Sequence, residues 1–309
     1  MSGGRGCVFL LSDYGNADEF AGVMRAVVQR MAPGVPMVDL THEIPPFDVR
    51  AGALALERVV PHLGPGVVLA VVDPGVATWR RAIAVETRSG AGPSFFVGPD
   101  NGLLSLAVGR LGGAVRMVSL DRARAGAVGP GHGPGPGFGP SHGPGHGPDP
   151  MLLSTFDGRD VFAPAAARLV AGADLADLGE EVPPDSLVRL PPPVLSSKGA
   201  MLEAEVLWVD RFGNVQLSAT APDLFAIGAD GPGSSFVLHA PSRDEKGATA
   251  SRKITWSASF EGIPAGEVGL VIDANGHLSL SCRQASASLV LELDAGDVVR
   301  LEAQGLGAG

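Results

Sequence analysis

"AVVDPGVATWRR", residues 70–81, carries an apolar run into a carboxylate at Asp73, turns through Pro74 and Gly75, and then supplies Arg80 and Arg81. A carboxylate and a guanidinium brought back to one neighbourhood at the end of a buried strand make a paired acceptor and donor. The same residues alone would make a solvated ion pair on a surface turn. What separates the two readings is the chemistry of the neighbouring loops. Asp13 follows the apolar run "CVFLL", and the "THEIPPFD" loop follows "PMVDL". The turns "DRFGN" and "DANG" carry polar groups able to face a ligand, although both are ordinary hairpin-turn sequences.

The elements that must hold these residues alternate between strand and helix. "CVFLL", "PMVDL", "GVVLAVVD", "AIAVET" and "SFFVG" read as strands. Between them, "ADEFAGVMRAVVQRM", "DVRAGALALERVVPHL" and "NGLLSLAVGRL" have apolar residues at helical spacing. Asn16 and Glu19 stand where a capping-box pair would stand, and Asp48 is a candidate N-cap. The alternation predicts an α/β fold with a mostly parallel sheet covered on both faces by helices. Ligands of such sheets bind beyond the carboxyl ends of the strands, which is where Asp13, the "THEIPPFD" loop and Asp73 fall.

Residues 126–150 are nearly all Gly, Pro and His and include His132, His142 and His146. Such a composition builds no core, so a mobile insert in the first domain is expected, and its histidine spacing matches no defined metal site. "TFDGRDVFAPAAARLVAG" then reads as a turn into a helix. A Pro-rich linker is expected over 186–199, separating an N-terminal α/β domain (1–185) from a smaller C-terminal β-barrel-like domain (200–309). The strands expected there are "MLEAEVLWVD", "SFVLHA", "KITWSA", "EVGLVID", "HLSLSC" and "ASLVLEL".

With 309 residues, 45% of them hydrophobic, the chain can bury a large core. Its formal net charge of −10 argues against a nucleic-acid partner and is compatible with a cationic small substrate. Cys7 and Cys282 are too few and too distant for a disulfide framework, so a cytoplasmic protein is the expectation. "CVFLL" is too short for a signal segment, and no run approaches the length of a membrane span.

The blocks "LLSDYGNADEFAGVMRAVV", "VDLTHEIPPFDVRAGALAL", "VVDPGVATWRRAIAV", "FVGPDNGLLSLAV", "TFDGRDVFAPAAARLVAG", "VDRFGNVQLS" and "PAGEVGLVIDANGHLSL" occur in one order along nearly the whole chain. Together they resemble the S-adenosylmethionine hydroxide adenosyltransferase family, related to the fluorinating and chlorinating enzymes. The resemblance implies hydrolysis of S-adenosylmethionine to adenosine and methionine without a cofactor. It also implies a homotrimer whose sites lie between one subunit's first domain and a neighbour's barrel. It places Asp13 at the ribose hydroxyls and Phe47 and Phe156 among the substrate-binding residues. Asp73 and Arg80 fall in the water-holding triad, with Arg80 rather than Arg81 at the matching position. In the barrel it places Asp210 at the methionine ammonium and Asn214 at the adenine edge, with Phe212 and Phe260 as flat packing partners. His42 is read as a structural histidine.

One triad position departs from the family: a histidine is usual before the glycine of "GRD", and this chain has Asp157. A carboxylate is a weaker base than an imidazole by about 2 to 3 pKa units. The exchange also predicts a net negative site, which favours a sulfonium in the ground state more than in the transition state. Ala77 replaces a glycine usual in the family, which is expected to stiffen its turn. Two rivals remain: halide transfer, opposed by carboxylates facing an anionic nucleophile, and a non-catalytic S-adenosylmethionine or adenosine binder with a decayed triad.

Overall fold

The computed structural model describes residues 6–89, 92–125, 155–243 and 249–304. The Gly/Pro/His insert, with His132, His142 and His146, lies outside the described residues. The chain forms two compact units, Met1–Leu190 and Pro191–Gly309.

The first unit is a seven-stranded sheet with helices packed on it. Its strands are β1 (Cys7–Ser12), β2 (Met37–Thr41), β3 (Gly66–Val71), β4 (Ala82–Ser89), β5 (Gly92–Pro99), β6 (Ala114–Leu120) and β7 (Gly179–Glu181). They lie in the order β2-β1-β3-β5-β4-β6-β7. β2, β1, β3 and β5 pair in parallel, while β4 and β7 pair antiparallel to their neighbours. Five strands therefore share one direction, and the mostly parallel reading holds. Every residue of β3 is buried, as a central strand covered on both faces requires.

The helices are α1 (Phe20–Met31), α2 (Val49–Val59), α3 (Ser105–Arg110), α4 (Arg122–Ala125) and α5 (Ala163–Val170). α1 buries Ala21, Met24, Val27 and Val28, the spacing of one helical stripe. The expected Asn16–Glu19 capping pair does not form. Glu19 occupies the N-cap without a side-chain bond, and Asn16 Nδ2 instead donates to Glu43 Oε1 at 2.7 Å. Asp48 does cap α2, accepting from the Ala51 N–H at 2.8 Å.

The second unit is an antiparallel eight-stranded sheet. Its strands are β8 (Leu195–Lys198), β9 (Met201–Val209), β10 (Val215–Thr220), β11 (Ser235–Pro241), β12 (Thr249–Thr255), β13 (Val268–Ile272), β14 (His277–Cys282) and β15 (Val298–Ala303). The main path runs β12-β11-β15-β9-β10-β14-β13, with β8 on β9. A bridge between Trp256 and Leu270 brings the two ends together into a nearly closed barrel. β8 lies within the stretch expected as linker. "ASLVLEL" is not a strand: Ser286 accepts from the Leu289 N–H at 3.1 Å and starts the short helix α7 (Ala287–Leu291), following α6 (Ala221–Ala226). A capping serine thus overrides an apolar run that by composition suits a strand.

Candidate active site

β1 and β3 are parallel neighbours in register, Ser12 beside Val71, so both chains leave the sheet at the same edge. Asp13 and Asp73 stand just beyond those ends. β4 runs backwards, so its first residue, Ala82, lies at this edge too, and the preceding Arg80 and Arg81 return to it. β6 runs with β5 and delivers Arg122 there, two residues beyond its last. The reversed strand is thus what returns the arginines of the 73–81 loop to the carboxylate that opened it.

Arg80 Nε donates to both Asp73 oxygens, at 2.9 and 3.0 Å, and its Nη2 also reaches Asp73 Oδ2. The same Nη2 donates to Asp157 Oδ2 at 2.6 Å. Asp157 Oδ1 accepts from Arg122 Nη2 at 2.6 Å. The Arg80 guanidinium also lies 5.2 Å from the centroid of the buried Phe162 ring. The Asp73, Arg80 and Asp157 side chains are 6, 12 and 4% exposed, whereas Arg122 is 36% exposed and forms the outer member. Burial alone lowers the Arg80 pKa, but the hydrogen bonds and charges of Asp73 and Asp157 outweigh it, and the net shift is upward.

Arg122 overturns one expectation. Asp73 and Asp157 are matched by Arg80 and Arg122, so this cluster is formally neutral rather than net negative. The argument that two carboxylates would repel a halide loses its force with it.

Asp13 Oδ2 accepts from the Phe47 N–H at 2.9 Å. Phe47 has φ +68°, a left-handed conformation uncommon for an aromatic residue, and its ring is 71% exposed. Asp13 therefore holds the Phe47 backbone in this conformation beside the sheet edge. Burial raises the Asp13 pKa; the backbone N–H groups of Phe47 and Asp13 pull it down, the Asp73 charge adds to the rise, and the net shift is upward. His42 is buried, with Nδ1 2.7 Å from Ser12 Oγ and Nε2 3.2 Å from Asp39 Oδ1. It braces the ends of β1 and β2, a structural role. Ala77 has φ +59°, so the turn places an alanine where glycine is unstrained.

Arg81 is occupied elsewhere. Its Nε donates to Asp100 Oδ2 at 2.8 Å and its Nη2 to the Ser186 carbonyl at 2.6 Å. Asn101 Nδ2 donates to the Val72 carbonyl at 2.9 Å, so "PDNG" braces the backbone just before Asp73. Phe156 packs edge-on against Tyr14 and Phe20, with centroids 5.6 and 5.1 Å apart, and walls the cluster. Burial raises the Tyr14 pKa, the charges of Asp13, Asp73 and Asp157 add to the rise, and Arg80 opposes it. The phenol therefore stays protonated beside the carboxylates.

The N-terminal domain of the SAM hydroxide adenosyltransferases matches residues 8–179, and the C-terminal domain matches residues 204–300. The chain belongs to this family. It is 39% identical over 295 residues to the (R)-S-adenosyl-L-methionine hydrolase of Salinispora arenicola, covering 94% of this chain and 96% of that protein. A fluorinase of Actinopolyspora mzabensis is more distant, at 26% identity over 326 residues, covering 96% of this chain and 97% of that one. A crystal structure of an uncharacterized conserved protein from Thermotoga maritima superposes with a TM-score of 0.77 at 28% identity, covering 95% of this chain and 99% of that one.

The barrel residues that the family resemblance singled out sit in or beside turns. Asp210 Oδ1 accepts from the N–H groups of Phe212 and Asn214 at 2.8 and 2.9 Å, and its Oδ2 accepts from Asn214 Nδ2 at 2.8 Å. Asp210 and Asn214 thus hold the turn together, and Phe212 projects from it, exposed. Phe260 is exposed in a one-turn helix, Phe260–Gly262, beside a concave surface lined by Trp256, Ser257 and Ile263. Sequence reasoning missed Arg122 and Tyr14. "SLDRARAG" has no spacing that singles out one arginine, whereas Tyr14 could have been found as the residue after Asp13.

Proposed function

We propose that this family member hydrolyses S-adenosylmethionine to adenosine and L-methionine. The observation that carries this is the buried Asp73–Arg80–Asp157 cluster at the sheet edge that also holds Asp13. Asp73 Oδ1 and both Asp157 oxygens each accept one arginine bond and keep a second acceptor position, so a water can donate to Asp73 or Asp157 while Arg80 fixes both carboxylates. Water oxygen attacks ribose C5′ and the C5′–S bond breaks with its electron pair passing to sulfur. Methionine leaves as a neutral thioether, so its departure needs no general acid. The water proton passes to a carboxylate of the cluster and on to solvent.

In this reading Asp13 accepts from the ribose hydroxyls through the lone pairs not used by Phe47, and Phe47 and Phe156 flank the sugar. Asp210, Phe212, Asn214 and Phe260 meet the methionine and adenine ends from a neighbouring subunit of a homotrimer, which light scattering tests. No metal or organic cofactor takes part, so turnover should survive chelation. Water is favoured over halide because the hydrolase relative is far more similar than the fluorinase.

Turnover in ¹⁸O-labelled water tests the proposal. The label should appear in the adenosine 5′-hydroxyl, with one methionine per adenosine. Formation of a 5′-halogenated adenosine in halide buffer, or no adenosine at all, would overturn it.

A further inference from the structure

We propose that Arg122 is the positioning and charge-balancing partner of Asp157 and thereby sets how strongly the site prefers a cationic ligand. The inference rests on the reading of the Asp73–Arg80–Asp157 cluster as the reaction site. It starts from a chain of alternating charge: Asp73, Arg80, Asp157 and Arg122, linked in that order by hydrogen bonds. Asp157 is the pivot. Its side chain is 4% exposed, and its two oxygens are divided between two guanidiniums, each at 2.6 Å. Arg80 alone could not neutralise this carboxylate, because Arg80 is already engaged in a three-bond fork on Asp73. Arg122 supplies the second positive charge and fixes the free oxygen, which holds the carboxylate plane in one orientation.

Its position in the fold suits that task. Asp157 begins the turn Gly158–Phe162, and Arg122 begins α4 just beyond β6, so the pair joins two elements that the sheet brings to one edge. At 36% exposure, Arg122 approaches Asp157 from the solvent side, while Arg80 approaches from the buried side. A neutral imidazole at position 157 would leave such an arginine without an anionic partner. An aspartate there calls for one. The aspartate and Arg122 together carry no net charge, as a single neutral base would, and the cluster keeps zero net charge.

The consequence is a count of charge that a ligand can read. Removing Arg122 leaves the cluster at −1, removing the Asp157 charge leaves it at +1, and removing both restores zero. A cation at the site should respond to that count, and a neutral ligand of the same shape should not.

Calorimetry on the full chain with two unreactive probes tests this: sinefungin, which carries an ammonium where the substrate has a sulfonium, and S-adenosylhomocysteine, which is neutral there. Arg122→Ala should tighten sinefungin by about five- to tenfold, and Asp157→Asn should weaken it by about the same factor. The double variant should return within about twofold of wild type, and Arg122→Lys should stay near wild type. S-adenosylhomocysteine should change by less than about twofold throughout. A merely structural role would weaken both probes in both single variants, so opposite signs separate the two accounts. Equal weakening by both single variants, or no response to Arg122→Ala, would overturn the inference. So would failure of both probes to bind wild type. Probe binding in the expected order by a protein that releases no adenosine would instead uphold the charge pairing and overturn the hydrolytic reading.

Discussion

Arg80 and Arg81 are adjacent in sequence and serve different carboxylates: Arg80 forks onto Asp73 and reaches Asp157, while Arg81 pairs with Asp100 and the Ser186 carbonyl. The first pair belongs to the proposed chemistry and the second ties the 183–187 turn to the end of β5. Substitutions should separate them. Arg80→Lys keeps the charge but loses the fork, and kcat should fall by about a hundredfold or more with little change in Tm. Arg81→Ala leaves a buried Asp100 carboxylate without its guanidinium and should cost about 3 kcal/mol of stability while the remaining folded enzyme keeps most of its kcat. Thermal unfolding and steady-state kinetics on both variants check the division. An inactive, fully stable Arg81→Ala would reverse the assignment.

The contrast shows what the sequence could carry. Asp73 and Arg80 lie seven residues apart in the one loop between β3 and β4, so their meeting follows from local spacing once β3 is recognised. Arg122 and Asp157 are 35 residues apart, on either side of a low-complexity stretch, and nothing in composition links them. Periodicity found β1 to β5 of the first sheet but missed β6 and the short β7, and it gave no directions, because an apolar run reads the same either way. Yet the reversal of β4 is what returns the arginines to the Asp73 edge. Asn16 and Glu19 fit a capping pattern, but α1 begins at Phe20, three residues later than that pattern needs, and Asn16 lies outside the helix with its Nδ2 on Glu43.

With Asp13 at the ribose as proposed, its raised pKa should set the acid side of the pH profile. Its ionised form must accept from the ribose, so kcat/KM should fall as pH drops through a value above the ordinary 3.8 of an aspartate. For stability the sign runs the other way. The folded state binds the proton more tightly than the unfolded chain, so this group's contribution falls as pH rises through the two values. Asp13→Asn should therefore abolish the acid limb that Asp13 causes, lower kcat/KM, and leave stability at neutral pH unchanged or slightly raised. An unaltered acid limb in this variant would show that another group controls it.

Gly158 is needed for space rather than for backbone freedom. A Cβ there would stand 2.7 Å from the Tyr14 hydroxyl, 3.0 Å from Met24 Sδ and 3.0 Å from a Phe156 ring carbon. Gly158→Ala should push the aromatic wall off Asp157 and cost about 1 to 3 kcal/mol, with a matching loss of activity. Tm and kcat measured together check this; a variant unchanged in both would mean that the wall yields freely.

Removal of residues 128–148 should leave the fold and turnover nearly unchanged. The chain before the segment is tied directly to the chain after it, by Arg122 on Asp157 and by Arg168 donating to the Arg124 carbonyl. Circular dichroism, Tm and adenosine release on the shortened chain decide the matter. Loss of structure would show that the segment contributes to folding, and loss of activity alone would implicate His132, His142 or His146.

Asp157 is where this chain departs from its family's pattern, and three substitutions test what the departure does. Asp157→His provides a base stronger by about 2 to 3 pKa units, but it leaves Arg122 without a partner and takes the cluster to +1. kcat should rise and affinity for the sulfonium should fall, because the lost charge acts mainly on the ground state, where the positive charge is greatest. Asp157→Asn loses charge and basicity together and should lower both kcat and affinity. Asp73→Asn should lower kcat the most, since Arg80 would then lose the acceptor on which three of its hydrogen bonds converge. Single-turnover rates with an independent Kd for each variant distinguish these outcomes. If Asp157→His and Asp157→Asn both keep wild-type kcat and Kd, Asp157 is not at the chemistry, and the water must be held by Asp73 and Arg80 alone.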